Sequence, residues 1–178
     1  IHQNYDSNNH LLKIVTKHNN KEQIFNLDLP GIYQSKNIIT VLAACNELSI
    51  IGYDLTYEII VSALGKVQNL TGLYGRWQRI ATNPSIILDV AHNVDGMKQI
   101  VQQLQLMQYK HLHIVIGMVK DKAVDKVLSL LPETATYYFT KAQIPRALDE
   151  QILKEQAAVL KLYGNTYKDV NTALQQAL

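Results

Sequence analysis

The sequence predicts an α/β protein, with a mostly parallel sheet covered by helices on both faces and a partial domain in front of it. Two observations carry this. From Arg76 onward short strand-like runs alternate with helical periodicities, the order that builds a parallel sheet. Two of those runs, Ile86-Ile87-Leu88 and Ile114-Val115-Ile116, are apolar on both faces, as strands buried in such a sheet must be. Composition agrees. Of 178 residues 47% are hydrophobic and 18% charged, enough apolar surface to offset the entropy of ordering the chain.

Taken in order, residues 11–17 and 23–29 alternate in polarity and are separated by the polar run His18-Asn19-Asn20-Lys21, which reads as a hairpin. After Pro30-Gly31 an apolar stripe of Ile38, Ile39, Leu42, Ala43 and Leu48 predicts a helix, with Cys45 among its core residues. A second helix is expected over 56–68, broken by 69–75. A hairpin and two helices are thin as an independent core, and the chain opens on Ile1 without a methionine. Residues 1–72 are therefore expected to be the tail of a larger domain. Residues 73–178 form the α/β domain: strand 85–90, helix 94–107, strand 111–117, helix 122–131, strand 136–140, helix 148–162 and a last helical stretch over 170–178. Tyr137 and Tyr138 suit a strand rather than a base-stacking platform.

Seventeen Lys and Arg against fifteen Asp and Glu leave a net charge of +2, too small for an electrostatic footprint on nucleic acid or anionic membrane. The single cysteine, Cys45, excludes an internal disulfide and a cysteine-built zinc site. The six histidines contain no His-x-x-x-His pair, and His111 and His113 flank a strand entrance, so no protein-built metal site is expected. No signal peptide opens the chain, and every apolar run is far shorter than the roughly 20 residues of a membrane-spanning helix. A cytoplasmic monomer is expected, with small-molecule substrates and neither nucleic acid nor membrane as partner.

Ligands of open parallel sheets bind beyond the carboxyl ends of the strands, where loops lead into helix N-termini. Asp89-Val90-Ala91-His92-Asn93 stands at such a place. Asp89 suits a vicinal diol such as ribose, His92 can donate to a phosphate oxygen, and Asn93 occupies a helix N-cap position. The same spacing also suits a plainer arrangement, in which Asp89 and Asn93 cap the helix and His92 is bonded within its loop. Lys120, Asp121 and Lys122 read as a solvated loop and helix start, and Arg146 as a surface arginine beside a proline.

Several of these segments, in this order, resemble one family. Leu29-Pro30-Gly31-Ile32-Tyr33-Gln34-Ser35-Lys36-Asn37, Gly75-Arg76, Asp89-Val90-Ala91-His92-Asn93, Gly117-Met118-Val119-Lys120-Asp121-Lys122, and Thr140 with Pro145-Arg146-Ala147 are similar to the C-terminal portion of the folylpolyglutamate synthase/dihydrofolate synthase family of the Mur ligase superfamily. The resemblance implies a Rossmann-like domain preceded by the last elements of a central ATPase domain. It implies ATP-dependent addition of L-glutamate to folates, or formation of dihydrofolate from dihydropteroate, through an acyl phosphate with magnesium as cofactor. It also implies roles: Asn37 at adenine, Arg76 at the nucleotide phosphates, Asp89 at ribose, and His92 catalytic at the phosphate side. Lys120, Asp121 and Arg146 become substrate-side residues, Arg146 facing a glutamate carboxylate.

The chain departs from the family's pattern at Val90, where glycine is usual, and at Tyr33, where histidine is usual; Gln34 and Asn37 remain. No Gly-x-x-x-x-Gly-Lys-Ser/Thr phosphate loop occurs. In the family that loop, most folate contacts and the magnesium ligands lie upstream of the position of Ile1, so this chain is expected to be a fragment, inactive by itself. The alternatives are a cell-wall Mur ligase, in which asparagine tends to replace Gln34, and a non-catalytic nucleotide-binding or interaction module.

Overall fold

The computed structural model describes residues 2–7, 9–18, 21–120 and 123–178. It packs as two compact units, Ile1–Val90 and Ala91–Leu178. In the first, β1 (His2–Asp6), β2 (Leu11–His18) and β3 (Lys21–Leu27) form an antiparallel sheet in that order. The expected hairpin is β2–β3, and its turn at residues 19 and 20 lies outside the described residues. Register pairs Leu12 with Leu27 and Ile14 with Phe25, which puts these four buried side chains on one face. They pack with Ile38 of α1 (Gln34–Ile50) and with Ile60, Val61 and Leu64 of α2 (Tyr57–Leu64). β1 was not legible in the sequence, because His-Gln-Asn-Tyr-Asp lacks the apolar alternation that marks a half-buried strand.

Four expectations for this unit are corrected. Of the apolar stripe on α1 only Ile38 is buried; Leu42 is half-buried, whereas Ile39, Ala43 and Leu48 are exposed. Cys45 is likewise half-buried rather than core. The helix over 56–68 is two helices, α2 and α3 (Val67–Thr71), parted at Gly65, where an added Cβ would come within 3.3 Å of the Asn26 carbonyl oxygen. The run at 85–90 does not join the parallel sheet among the described residues. Instead β4 (Gln78–Thr82) and β5 (Ser85–Leu88) make an antiparallel hairpin around Asn83-Pro84, a strong turn dipeptide. His10 ties this hairpin to the β1–β2 turn, its Nε2 lying 2.8 Å from the Trp77 carbonyl oxygen and 3.0 Å from the Arg79 amide nitrogen. The Arg79 guanidinium donates to the Ser7 carbonyl at 3.2 Å. Such contacts tie residues 76–89 to the rest of the first compact unit, which runs to Val90.

The second unit holds the parallel sheet, β6 (His113–Ile116), β7 (Thr136–Phe139) and β8 (Gly164–Thr166), in that order. Its helices are α4 (Val94–Gln105), α5 (Val124–Leu128), α6 (Glu150–Val159) and α7 (Val170–Ala177). One face of the sheet carries Ile116, Tyr137 and Phe139, packed with Met97 of α4, Val124, Val127 and Leu128 of α5, and Leu153 and Ala157 of α6. Right-handed crossovers that step in one direction along a sheet put their helices on one face. α7 packs on β6 and β7 but adds nothing to that cluster, so it covers the opposite face, where Tyr138 meets His113 and Tyr167. Asn93, Asp149 and Asp169 cap α4, α6 and α7 by accepting from the amides of Gly96, Gln151 and Thr172 at 2.7, 3.0 and 2.8 Å. α5 is the shortest of these four helices, confined to 124–128 where the sequence predicts 122–131.

β8 is too short and too polar to be read from sequence. A Cβ on Gly164 would lie 1.8 Å from the Tyr137 carbonyl oxygen, so glycine is required for β8 to reach β7. Gly164→Ala is therefore expected to lower unfolding free energy by about 2 kcal/mol or more, read as a shift of the urea midpoint. An unchanged midpoint would show that β8 does not pair there.

Candidate functional site

In the first unit the segment after β5 is built around one carboxylate. Asp89 Oδ2 accepts from the backbone amide of Trp77 and from the phenol of Tyr33, each at 2.8 Å. Trp77 is buried and held at φ 54°, a left-handed conformation costly for a bulky residue. Its neighbour Gly75 sits at φ 70°, where a Cβ would come within 2.6 Å of Val90 Cγ1, and the Val90 amide donates to the Gly75 carbonyl at 3.0 Å. Gly75 is thus fixed by both its dihedral and the side chain at 90.

Tyr33 occupies the N-cap position of α1 without capping it. Its ring lies over Gly31, where a Cβ would be 2.5 Å from Tyr33 Cε1. Burial, then the negative charge of Asp89 and the hydrogen bond to it, push the phenol's pKa far above the usual tyrosine range, with Arg76 pulling weakly the other way. The hydroxyl is therefore a donor at every physiological pH. One turn along α1, Asn37 donates to Gln34 Oε1 at 2.6 Å; positions 33 and 37 share a helix face. Tyr33, Arg76 and Asp89 are brought together, with Asn37 on the same side of α1. Tyr33 was missed as a site residue, although its place in the 29–37 segment was the available signal. The side chain that caps α4 is Asn93, accepting from the Gly96 amide.

In the second unit His92 is exposed, immediately before the Asn93 cap of α4. The loops leaving β6 and β7 are zipped together. Leu148 N donates to Met118 O at 2.8 Å, Lys120 N donates to Arg146 O at 3.0 Å, and Val119 and Ala147 form an antiparallel bridge. Lys120 and Arg146 are neighbours by backbone geometry, both exposed. The Lys141 ammonium closes the loop at 3.1 Å from Asp149 Oδ2 and 2.7 Å from Glu150 Oε2. A cavity of about 460 Å³ opens here, lined by Lys120, Lys141, Gln143, Pro145 and Asp149 among others. Asp121 lies outside the described residues. Among the described residues no cluster of three His, Cys, Asp or Glu side chains could hold a metal ion. No helix among them is long and apolar enough to cross a membrane.

A three-stranded parallel sheet with loops gathered at its carboxyl ends makes the second unit an open α/β domain, of the class whose ligands bind beyond those ends. The family model described as Mur ligase, glutamate ligase domain, matches residues 75–178, and the chain belongs to that family. A Haloferax volcanii protein named as a probable bifunctional folylpolyglutamate synthase/dihydropteroate synthase is 30% identical over 82% of this chain and 17% of its own length. A dihydrofolate synthase/folylpolyglutamate synthase of Buchnera aphidicola is 31% identical over 68% of this chain and 27% of its own. The chain thus spans less than a third of either relative. The Mycobacterium tuberculosis folylpolyglutamate synthase complexed with ADP and AMPPCP superposes with a TM-score of 0.79 over 99% of this chain and 39% of that one, at 22% identity. A bifunctional folylpolyglutamate synthase/dihydrofolate synthase with Mn, AMPPNP and L-glutamate bound gives 0.56 over 71% and 29%, at 31% identity.

The loop-closing ion pair has a pH signature. The Glu150 and Asp149 contacts hold the Lys141 ammonium above its ordinary pKa, and Lys141, then the Gln151 amide, hold the Asp149 carboxyl below its own. A depressed carboxyl contributes stability above its unfolded pKa and loses it as pH falls through the folded value; a raised ammonium contributes below its unfolded pKa and loses it as pH rises through the folded one. The loop is expected to loosen at both extremes. In a carboxyl-detected NMR titration Asp149 should show a midpoint below 3.8; a midpoint at or above it would place Lys141 elsewhere.

Proposed function

We propose that this chain contributes the nucleotide-facing and glutamate-facing residues of an ATP-dependent ligase that adds L-glutamate to folates, with dihydropteroate as a second acceptor. The observation that carries the reading is the Asp89 carboxylate, fixed at the end of β5 by Tyr33 and Trp77 beside Arg76. A carboxylate suits the ribose diol, the Arg76 guanidinium the phosphates, and the Asn37 amide an adenine edge. The folate carboxylate attacks the γ-phosphorus and ADP leaves; the glutamate amine then attacks the acyl phosphate carbon and inorganic phosphate leaves. His92, at the start of α4, is proposed to stabilise phosphate charge in the first step. Lys120 and Arg146, paired through their backbones, are proposed to hold glutamate carboxylates and leave its amine unencumbered; Asp121 is the third substrate-side residue.

On this reading residues 1–72 are the end of the central ATP-binding domain and 73–178 the C-terminal domain, a division supported by the family match beginning at residue 75. The names of the relatives favour folate over cell-wall substrates. The enzyme is proposed to act as a cytoplasmic monomer on small molecules, with ATP and magnesium as cofactors whose phosphate loop and metal ligands come from outside these residues. No step above is assigned to the metal.

The test is an ATP- and glutamate-dependent assay of the full-length enzyme with tetrahydrofolate and dihydropteroate offered separately. Asp89→Ala should raise the KM for ATP by about ten- to a hundredfold, the value of a hydrogen bond to a charged group. His92→Ala should lower kcat more than it raises the KM for folate. An unchanged ATP KM in folded Asp89→Ala would remove the ribose assignment, and a loss confined to folate affinity would move His92 to the pterin side.

A further inference from the structure

We infer that Tyr33 is a positioning residue for the Asp89 carboxylate, setting the direction in which Asp89 meets the ribose of a bound nucleotide; this rests on the reading of Asp89 given above. An aspartate at the end of a strand turns freely about its terminal torsion, which is broad for a carboxyl group, unless something fixes its plane. Here two donors converge on one oxygen, the Trp77 amide and the Tyr33 hydroxyl, each at 2.8 Å. They come from different elements, the approach to β4 and the start of α1, so they define the plane as well as the position of the group. A carboxylate offers about four acceptor sites, and these two donors restrict how the group can turn to present them.

The surrounding backbone is shaped for this contact. The Tyr33 ring lies across Gly31, where any side chain would displace it, since a Cβ would stand 2.5 Å from Cε1 and 2.6 Å from Cζ. Trp77 keeps its amide on Asp89 while held at φ 54°, and strain of this kind persists only where the surroundings over-determine it. Asn37 follows one turn later on the same helix face, so the start of α1 links the proposed adenine contact to the carboxylate proposed to hold ribose.

The test measures affinity of the full-length enzyme for ATP and for 2′,3′-dideoxy-ATP by isothermal titration. Asp89→Asn, Tyr33→Phe and Gly31→Ala are compared with the wild type. Phe keeps the ring and removes only the hydroxyl, whereas Ala at 31 moves the ring and leaves the hydroxyl, so the two variants reach the same contact by different routes. Tyr33→Phe and Gly31→Ala are each expected to weaken ATP binding about three- to tenfold, the range for one hydrogen bond acting through a neighbour, and Asp89→Asn to weaken it about tenfold or more, all three leaving dideoxy-ATP binding unchanged. A purely structural role would weaken both nucleotides alike and would overturn the proposal. If Asp89→Asn loses the discrimination and both Tyr33→Phe and Gly31→Ala keep it, the positioning role fails while the ribose assignment stands. If Asp89→Asn itself keeps the discrimination, the ribose assignment fails and the positioning role with it.

Discussion

The second unit depends on how closely its backbone segments approach β7. The Tyr137 carbonyl oxygen occupies the place of a side chain on Gly164, and the Thr140 carbonyl oxygen lies 2.8 Å from where a Cβ on Gly117 would be. Both neighbours of the strand therefore reach it through glycine, one in β8 and one just past β6. Close approach past β6 keeps the two carboxyl ends level: Thr140 N bonds Ile116 O at 2.9 Å, and the loops beyond run on as a short antiparallel zipper from Met118–Leu148 to Lys120–Arg146. The side-by-side placement of Lys120 and Arg146 is thus a consequence of main-chain geometry, and mutual attraction cannot be its cause, since both are cations.

The first unit is held by different means. Its apolar core draws on β2, β3, α1 and α2, together with Tyr5 and Ile32, and includes nothing from residues 75–90. The β4–β5 hairpin is attached through polar contacts: His10 to the backbone of Trp77 and Arg79, Arg79 to Ser7, and Tyr33 to Asp89. Trp77 is buried at the centre of these contacts but lies outside the apolar cluster. Polar attachments are directional, so these contacts give the hairpin a defined orientation while Trp77 supplies its buried apolar surface.

What the sequence made legible follows from where each signal originates. Strands with apolar faces, such as β2 with Leu12 and Ile14 or β6 with Ile114 and Ile116, announce themselves by their apolar pattern, and the cap Asn93 at the start of α4 by its residue type and place. The three strands that were missed, β1, β4 and β8, are polar or short and exist because a neighbour supplies their hydrogen-bond partners; a local pattern contains no record of that. Placing 85–88 in the parallel sheet was a failure of the same kind, since an apolar run does not say which partner it takes. Around the site, the residue types at 37, 76 and 89 were readable from motif position. The contact of Tyr33 with Asp89 was not, because it joins positions 56 residues apart.

Asp89 carries two loads at once. It is the acceptor through which the start of α1 and the approach to β4 are joined, and on the proposed reading it is also the acceptor for ribose. A group that holds structure and binds ligand couples the two thermodynamically, because anything that stabilises one arrangement of its hydrogen bonds favours the other function by the same free energy. A tyrosine donor suits that coupling better than an ionisable imidazole would. Burial and the adjacent carboxylate keep the phenol protonated, whereas a histidine at the same place would change its charge within the physiological range, and with it the orientation of the carboxylate it serves.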